Sequence, residues 1–327
     1  MFKAFSDGFY TLLKFGCQLN MHVTELEEHI HLVDVETGGI ENFIASYVLK
    51  GKYAAIIETG PTSSVPNLLA GLKQIRISLD EVAYVAVTHI HLDHGGGVGT
   101  LLKSLLNAKV IVHPAGAPHL VNPQKLWQQS VEVQGNQIAD LYHAPEPVPA
   151  ERIVSVTDGM SFDLGNNVKF RVVETLGHAS HHQSYFETKS RGLFPGDAAG
   201  IYFSDLNVVV PTTPAPFRFD VALASLKKLE GLGPKALYFS HFGKASDAIE
   251  KLQAYAQQLK LWVSIAENGF NNHQDFDAVR NEIVRRDESI RKVMELVKDH
   301  PILRTTVLNN SVQGVLKYVE KSRGAPV

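Results

Sequence analysis

Three features of the 327-residue chain predict an α/β fold. Strand-length apolar runs alternate with segments whose apolar residues recur at helical spacing. A loose order of strands, polar loop and helix occurs twice, without any sequence repeat. The continuous apolar run Val82 to Val87 reads as a strand buried on both faces, and it opens into T-H-I-H-L-D-H-G-G-G from Thr88 to Gly97. Histidines and a carboxylate crowded at the end of a core strand point to a metal site there.

Taken in order, residues 1–20 form an aromatic arm. Phe2, Phe5, Phe9, Tyr10 and Phe15 are interrupted by Lys3, Asp7 and Lys14, so no run approaches the roughly 20 apolar residues of a membrane span, and the charge order does not suit a secretory signal. The arm either packs on the domain or a second subunit, or precedes a start at Met21. His29 to Val35, Phe43 to Leu49 and Tyr53 to Ile57 are separated by glycine turns and read as an antiparallel meander. Pro61 to Ile75 reads as a helix, as does Val98 to Leu106 after the motif. Lys109 to Val112 is a strand. Residues 113–150, rich in Pro, Gln and Asn, read as a long irregular insertion over the site, with His113, His119 and His143 as pocket or surface residues. A second strand series follows at 152–156, 168–175, 183–187, 192–194 and 236–239, with helices at 221–229 and 245–262. Beyond residue 265 the composition turns charged and helical: Phe276 to Asp299 and Ser311 to Lys321 read as helices, split by Pro301, that pack on the core or mediate a homodimer contact.

Composition narrows the function. Thirty-one basic residues against 34 acidic ones argue against nucleic acid or an anionic membrane as partner and favour a small-molecule substrate. The single cysteine, Cys17, excludes an intrachain disulfide, reads as a bystander far from the histidines, and suggests a reducing, cytoplasmic setting.

The motif's spacing carries the chemistry. In an extended backbone His89 and His91 point to the same side and can share a cation. Asp93 and His94 sit in the following turn and face a neighbouring point, while Gly95, Gly96 and Gly97 permit a sharp bend. Imidazole with carboxylate and no thiolate suits Zn, Fe or Mn better than Mg or Ca. Further candidates follow later predicted strands: His178 in T-L-G-H-A-S-H-H, Asp197 in L-F-P-G-D and His241 in Y-F-S-H-F-G.

These four blocks, in this order, resemble the metallo-β-lactamase-fold hydrolase superfamily over about residues 21–245. The resemblance implies a four-layered αββα sandwich at 21–265, followed by a C-terminal helical extension, with two divalent metals at the rim of the sheets, zinc first and iron or manganese as alternatives. His89, His91 and His178 would hold one metal. Asp93, His94 and His241 would hold the other, with Asp197 bridging. A hydroxide between the metals would then hydrolyse ester, thioester, lactone or phosphoester bonds. Asp93, Asp197 and Tyr202 are the expected catalytic residues, Tyr202 and Phe203 lying just past the bridging position. An aspartate bridge argues against a dedicated antibiotic hydrolase. Gly200 stands where related lactonases carry a tyrosine, and no glutathione-type basic pattern is found. Glu58-Thr59-Gly60 replaces the family's Asp-x-Gly, which puts the orienting role of that carboxylate in question. His181 and His182 read as turn-stabilising residues or pocket lining. A phosphodiesterase or nuclease, or an iron-dependent oxygenase, are the alternative activities.

Overall fold

The computed structural model describes residues 23–300, 303 and 306–324, so the aromatic arm at 1–20 and Cys17 lie outside the described residues. The first sheet has seven strands in sequence order: β1 (Val23–Glu27), β2 (Ile30–Asp34), β3 (Ala45–Lys50), β4 (Ala54–Ile57), β5 (Val82–Ala86), β6 (Lys109–Val112) and β7 (Ile153–Ser155). β1 to β4 pair antiparallel through short turns, while β4 to β7 are parallel, as crossovers require. The later strands are β8 (Ser161–Asp163), β9 (Lys169–Glu174), β10 (Gln183–Glu187), β11 (Gly192–Phe194), β12 (Ile201–Phe203), β13 (Val208–Val210), β14 (Ala236–Phe239) and β15 (Gly243–Ala245). Six of them form a second sheet in the order β15-β14-β11-β10-β9-β8, and β12 with β13 makes a small ribbon beside it.

Helices cover both outer faces. On the first sheet lie α1 (Val65–Gln74), α2 (Leu92–Gly95), α3 (Val98–Leu101), α4 (Ala117–Val121), α5 (Gln124–Gln134) and α6 (Asn136–Tyr142); on the second lie α7 (Phe219–Gly231), α8 (Ala248–Asn271), α9 (Phe276–Arg286), α10 (Glu288–Leu296) and α11 (Ser311–Gly324). The layers are therefore αββα, with the C-terminal helices joined to the second outer layer.

Three apolar clusters correspond to the three interfaces. Between the sheets Tyr47, Phe170, Tyr185, Phe194 and Tyr238 are all fully buried, and Phe194 stacks on Tyr238 with ring centroids 4.9 Å apart. Buried phenols need partners. Tyr47 Oη donates across the sandwich to Phe239 O at 2.6 Å and Tyr185 Oη to Val87 O at 2.7 Å, so aromatic burial and hydrogen bonding fix the two sheets in one register. At the rim the backbones themselves meet: Ala45 N donates to Ser240 O and Gln183 N to Thr88 O, both at 2.8 Å.

Some elements differ from expectation. The insertion is helical over most of its length, because Leu120, Leu126 and Tyr142 bury against the first sheet's outer cluster and its glutamines are good helix formers. The segment 276–299 is two helices broken at Asp287. Its carboxylate caps α10 by accepting from Ser289 N at 2.9 Å and Ile290 N at 3.2 Å, and it also accepts from the buried Trp262 indole at 2.7 Å. No described helix is long and apolar enough to cross a membrane.

Candidate metal centre

The C-terminal ends of β5, β9, β11 and β14 open onto one rim, and each is followed within a few residues by a candidate ligand. His89 and His91 lie in the coil after β5, and Asp93 and His94 in α2. His178 follows β9, Asp197 follows β11 in the turn Gly196–Ala199, and His241 follows β14. The sheets are rigid and the loops short, so seven side chains from two sheets converge.

They do so in two adjoining groups. His89 Nε2 and His178 Nε2 stand 2.9 and 3.2 Å from His91 Nδ1. In the second group His241 Nε2 lies 3.4 Å from Asp93 Oδ2, and His94 Nε2 lies 3.9 Å from the same oxygen. Asp197 joins the groups: Oδ2 is 3.4 Å from His178 Nε2, and Oδ1 is 3.4 Å from His94 Nε2 and 3.9 Å from His241 Nε2. A tetrahedral set of nitrogens about 2.0–2.1 Å from zinc is spaced by roughly 3.3 Å, which these separations approach. His94 Nε2 and Asp197 Oδ1 are buried and make no hydrogen bond to a described group, a pairing deficit that a cation would remove. The residues therefore fit divalent metal.

The far sides of the rings are held so that the right nitrogens face inward. His178 Nδ1 donates to Thr212 O and His241 Nδ1 to Phe43 O, each at 3.0 Å; a carbonyl can only accept, so Nε2 keeps its lone pair. His89 Nδ1 donates to Thr88 Oγ1 at 3.0 Å, and that hydroxyl in turn donates a hydrogen bond to Glu58 Oε1 at 2.5 Å. The same Glu58 oxygen lies 3.4 Å from His94 Nδ1. The longer carboxylate thus orients His89 through Thr88, while His94 Nδ1 lies beside it without a hydrogen bond. It does so from a buried backbone position with φ of 67°, unusual for a non-glycine residue.

Asp197 has its own support. Its backbone N–H donates to His182 Nε2 at 3.1 Å, and His182 Nδ1 pairs with Thr175 Oγ1 at 2.9 Å, so His182 fixes the turn. The preceding Gly196 has φ of 54°, and a Cβ there would come within 2.5 Å of Thr88 Oγ1. Gly97, expected to permit a bend, has ordinary right-handed dihedrals and is needed for close approach instead, its N–H donating to Gly60 O at 2.9 Å. His181 stands beside the centre, its ring parallel to His89 at 6.2 Å, and burial, then His178, His119 and His113, lower its imidazole to about 4.

The charges are strongly coupled. Burial, with the neighbouring imidazoles of His178 and His181, lowers His91 to about 3. Burial acts against charge on His94 too, but Asp197, Asp93 and Glu58 outweigh it and hold its pKa well above the ordinary imidazole value. A proton on His94 thus does part of what a cation would do for the carboxylates. His91 and Asp93 are the partly exposed members of the seven, so the centre meets solvent on their side.

Tyr202 follows Asp197 closely, but its hydroxyl donates to Asn207 Oδ1 at 2.9 Å and its ring stacks on Phe239 at 5.0 Å. Its backbone pairs with His241 O and Phe242 N, so it braces the His241 loop and its hydroxyl is engaged outside the metal cluster. Tyr142, at the end of α6, is buried; burial and then Asp93 and Asp197 push its phenol well above 10. No local motif marks it, since its burial comes from the packing of the insertion on the first sheet.

An αββα sandwich with a histidine- and aspartate-lined centre at one rim defines a class of metal-binding proteins. Consistently, the metallo-beta-lactamase superfamily model matches residues 39–241, and the chain belongs to that superfamily. The chain is 32% identical over 248 residues to the metallo-beta-lactamase fold-containing protein ST1585 of Sulfurisphaera tokodaii, covering 73% of this chain and 85% of that one. The solved structure of ST1585 superposes with a TM-score of 0.62 over 84% of this chain and 93% of that chain, at 27% identity. The metallo-beta-lactamase family protein TTHA1429 of Thermus thermophilus shares the fold with a TM-score of 0.61 at 18% identity, over 86% of this chain and 89% of that one. The atrochrysone carboxyl ACP thioesterase of Aspergillus fumigatus is 25% identical over 177 residues, which is 54% of this chain and 42% of that protein.

Proposed function

We propose that the protein is a metal-dependent hydrolase that uses two divalent cations, zinc foremost, on small ester-like bonds: esters, thioesters or lactones. The observation that carries this reading is the position of Asp197, with one carboxylate oxygen toward each donor group. When bound, cations in these positions supply Lewis acidity and a water that is nucleophilic at neutral pH. The protein's part is to hold charge and geometry. Glu58, Thr212 O and Phe43 O keep His89, His178 and His241 in the tautomer that presents Nε2. Asp93, kept ionised by His94 and His241, holds negative charge at the second group, and the Tyr142 phenol, kept protonated by burial and by the charge of Asp93 and Asp197, remains a hydrogen-bond donor. The net reaction adds one water across the acyl C–O or C–S bond and releases an acid with an alcohol or thiol. Similarity to a fungal carboxyl ACP thioesterase supports acyl chemistry.

The test is metal content together with turnover. Purified protein loaded with zinc should carry close to two equivalents and hydrolyse p-nitrophenyl esters or γ-lactones, and Asp197→Asn should lose activity by at least about a hundredfold. A variant that keeps wild-type turnover would reject the reading.

A further inference from the structure

The segment between β13 and α7 is a strap that carries Pro211, Pro214 and Pro216, so it has few backbone N–H groups with which to hold itself in place. It bears on the centre because its Thr212 carbonyl accepts from His178 Nδ1 at 3.0 Å and so turns Nε2 inward. The residues on either side of Thr212 are gripped by one residue from far along the chain. Ser311, the first residue of α11, donates from Oγ to Pro211 O at 3.1 Å, and the same Oγ accepts from Thr213 N at 3.3 Å. Its carbonyl accepts from Thr213 Oγ1 at 2.8 Å. Ser311 and Thr213 are both buried, so water is not at hand to replace these bonds. One turn on, Gly314 lets the helix lie directly on the strap, since a Cβ there would collide with Thr213 O. Val312, Val315 and Val319 seat the helix in the apolar cluster that also holds Val209, Val210 and Phe217.

We propose that Ser311 is a positioning residue of the metal centre: by fixing Pro211 and Thr213 it places the Thr212 carbonyl, and through it His178, so that the C-terminal helix sets the affinity of the His89, His91 and His178 group for its cation. The inference rests on the metal-dependent hydrolase reading and deepens it, bringing into the centre a residue beyond the superfamily match at 39–241. The other group is held from elsewhere, His241 by Phe43 O, and is indifferent to Ser311.

The test uses the full chain, with zinc affinities read by competition with a chelating indicator. Ser311→Ala should weaken one zinc equivalent at least about tenfold and leave the other within about threefold. Val319→Ala empties a buried position about two turns farther along the same helix and leaves the strap bonds in place; it should lower the denaturant midpoint yet keep both affinities within about threefold. Unchanged zinc affinity in Ser311→Ala, a loss shared equally by both equivalents, or the same loss in Val319→Ala would overturn the proposal. Should Ser311→Ala fail to fold, Thr213→Val, which removes only the 2.8 Å bond, takes its place: a loss of at least about threefold in one equivalent supports the proposal and unchanged affinity overturns it. If wild type binds no zinc, the hydrolase reading fails, and nitrogen-15 NMR of the histidines in the metal-free protein still decides the strap. Ser311→Ala, or Thr213→Val in its place, should then move the His178 proton from Nδ1 towards Nε2, and an unaltered tautomer overturns the proposal.

Discussion

Glu58 shows how one residue can bear on two ligand histidines at once. Its carboxylate accepts a hydrogen bond from Thr88, which orients His89, and stands 3.4 Å from His94 Nδ1, so it adjoins both donor groups without belonging to either. Glu58→Gln should retain the fold and weaken metal binding by about ten- to a hundredfold, read by competition with a chelating indicator. Tyr142→Phe removes a buried phenol whose pKa is raised by burial and by the charge of Asp93 and Asp197; if the phenol donates in the reaction, kcat should fall about ten- to a hundredfold with little change in KM. The seven converging side chains were legible in the sequence because each lies just after an apolar strand, and strand ends are placed by the sheet itself. Tyr142 was not legible, since nothing local ties residue 142 to residue 93. Tyr202 was read too readily from nearness in sequence: in a strand, direction alternates, and its hydroxyl turns to Asn207.

Among the elements, the break between α9 and α10 is the sharpest case. Asp287 is buried, caps α10 through two backbone N–H groups and accepts from the Trp262 indole. Asp287→Ala removes a cap and strands a buried donor, for a loss of roughly 2–4 kcal/mol, to be measured from the denaturant midpoint. In sequence the same aspartate sits in R-R-D-E and reads as one more charge on a solvated face, so a single helix was expected. β1 was not expected because V-T-E-L-E is partly exposed and acidic, and β8, β12, β13 and β15 were missed because three residues show little alternation to detect. The long strands and α1, α7 and much of α8 were legible, since each buries a full stripe of apolar residues.

At the scale of the molecule, the donor groups span the sandwich. His89, His91, Asp93 and His94 come from the first sheet's side, and His178, Asp197 and His241 from the second's. Metal should therefore clamp the sheets, and zinc at about a thousand times its Kd should raise the unfolding free energy by roughly 4 kcal/mol, with a lower Tm after chelation. The sign of the pH dependence follows from His94. Asp197, Asp93 and Glu58 make it hold its proton more tightly than an ordinary imidazole, and that proton must leave for a cation to bind. The gap in Tm between loaded and chelated protein should thus widen as pH rises through neutrality and narrow as it falls.

The main-chain bonds from Ala45 to Ser240 and from Gln183 to Thr88 suture the lips of the sandwich on either side of the centre. Breathing of the two sheets cannot then be the gate through which reactants pass, and amide exchange at Ala45 and Gln183 should be as slow as in the interior. Bulky guests must be admitted by displacement of the surrounding loops and the C-terminal helices.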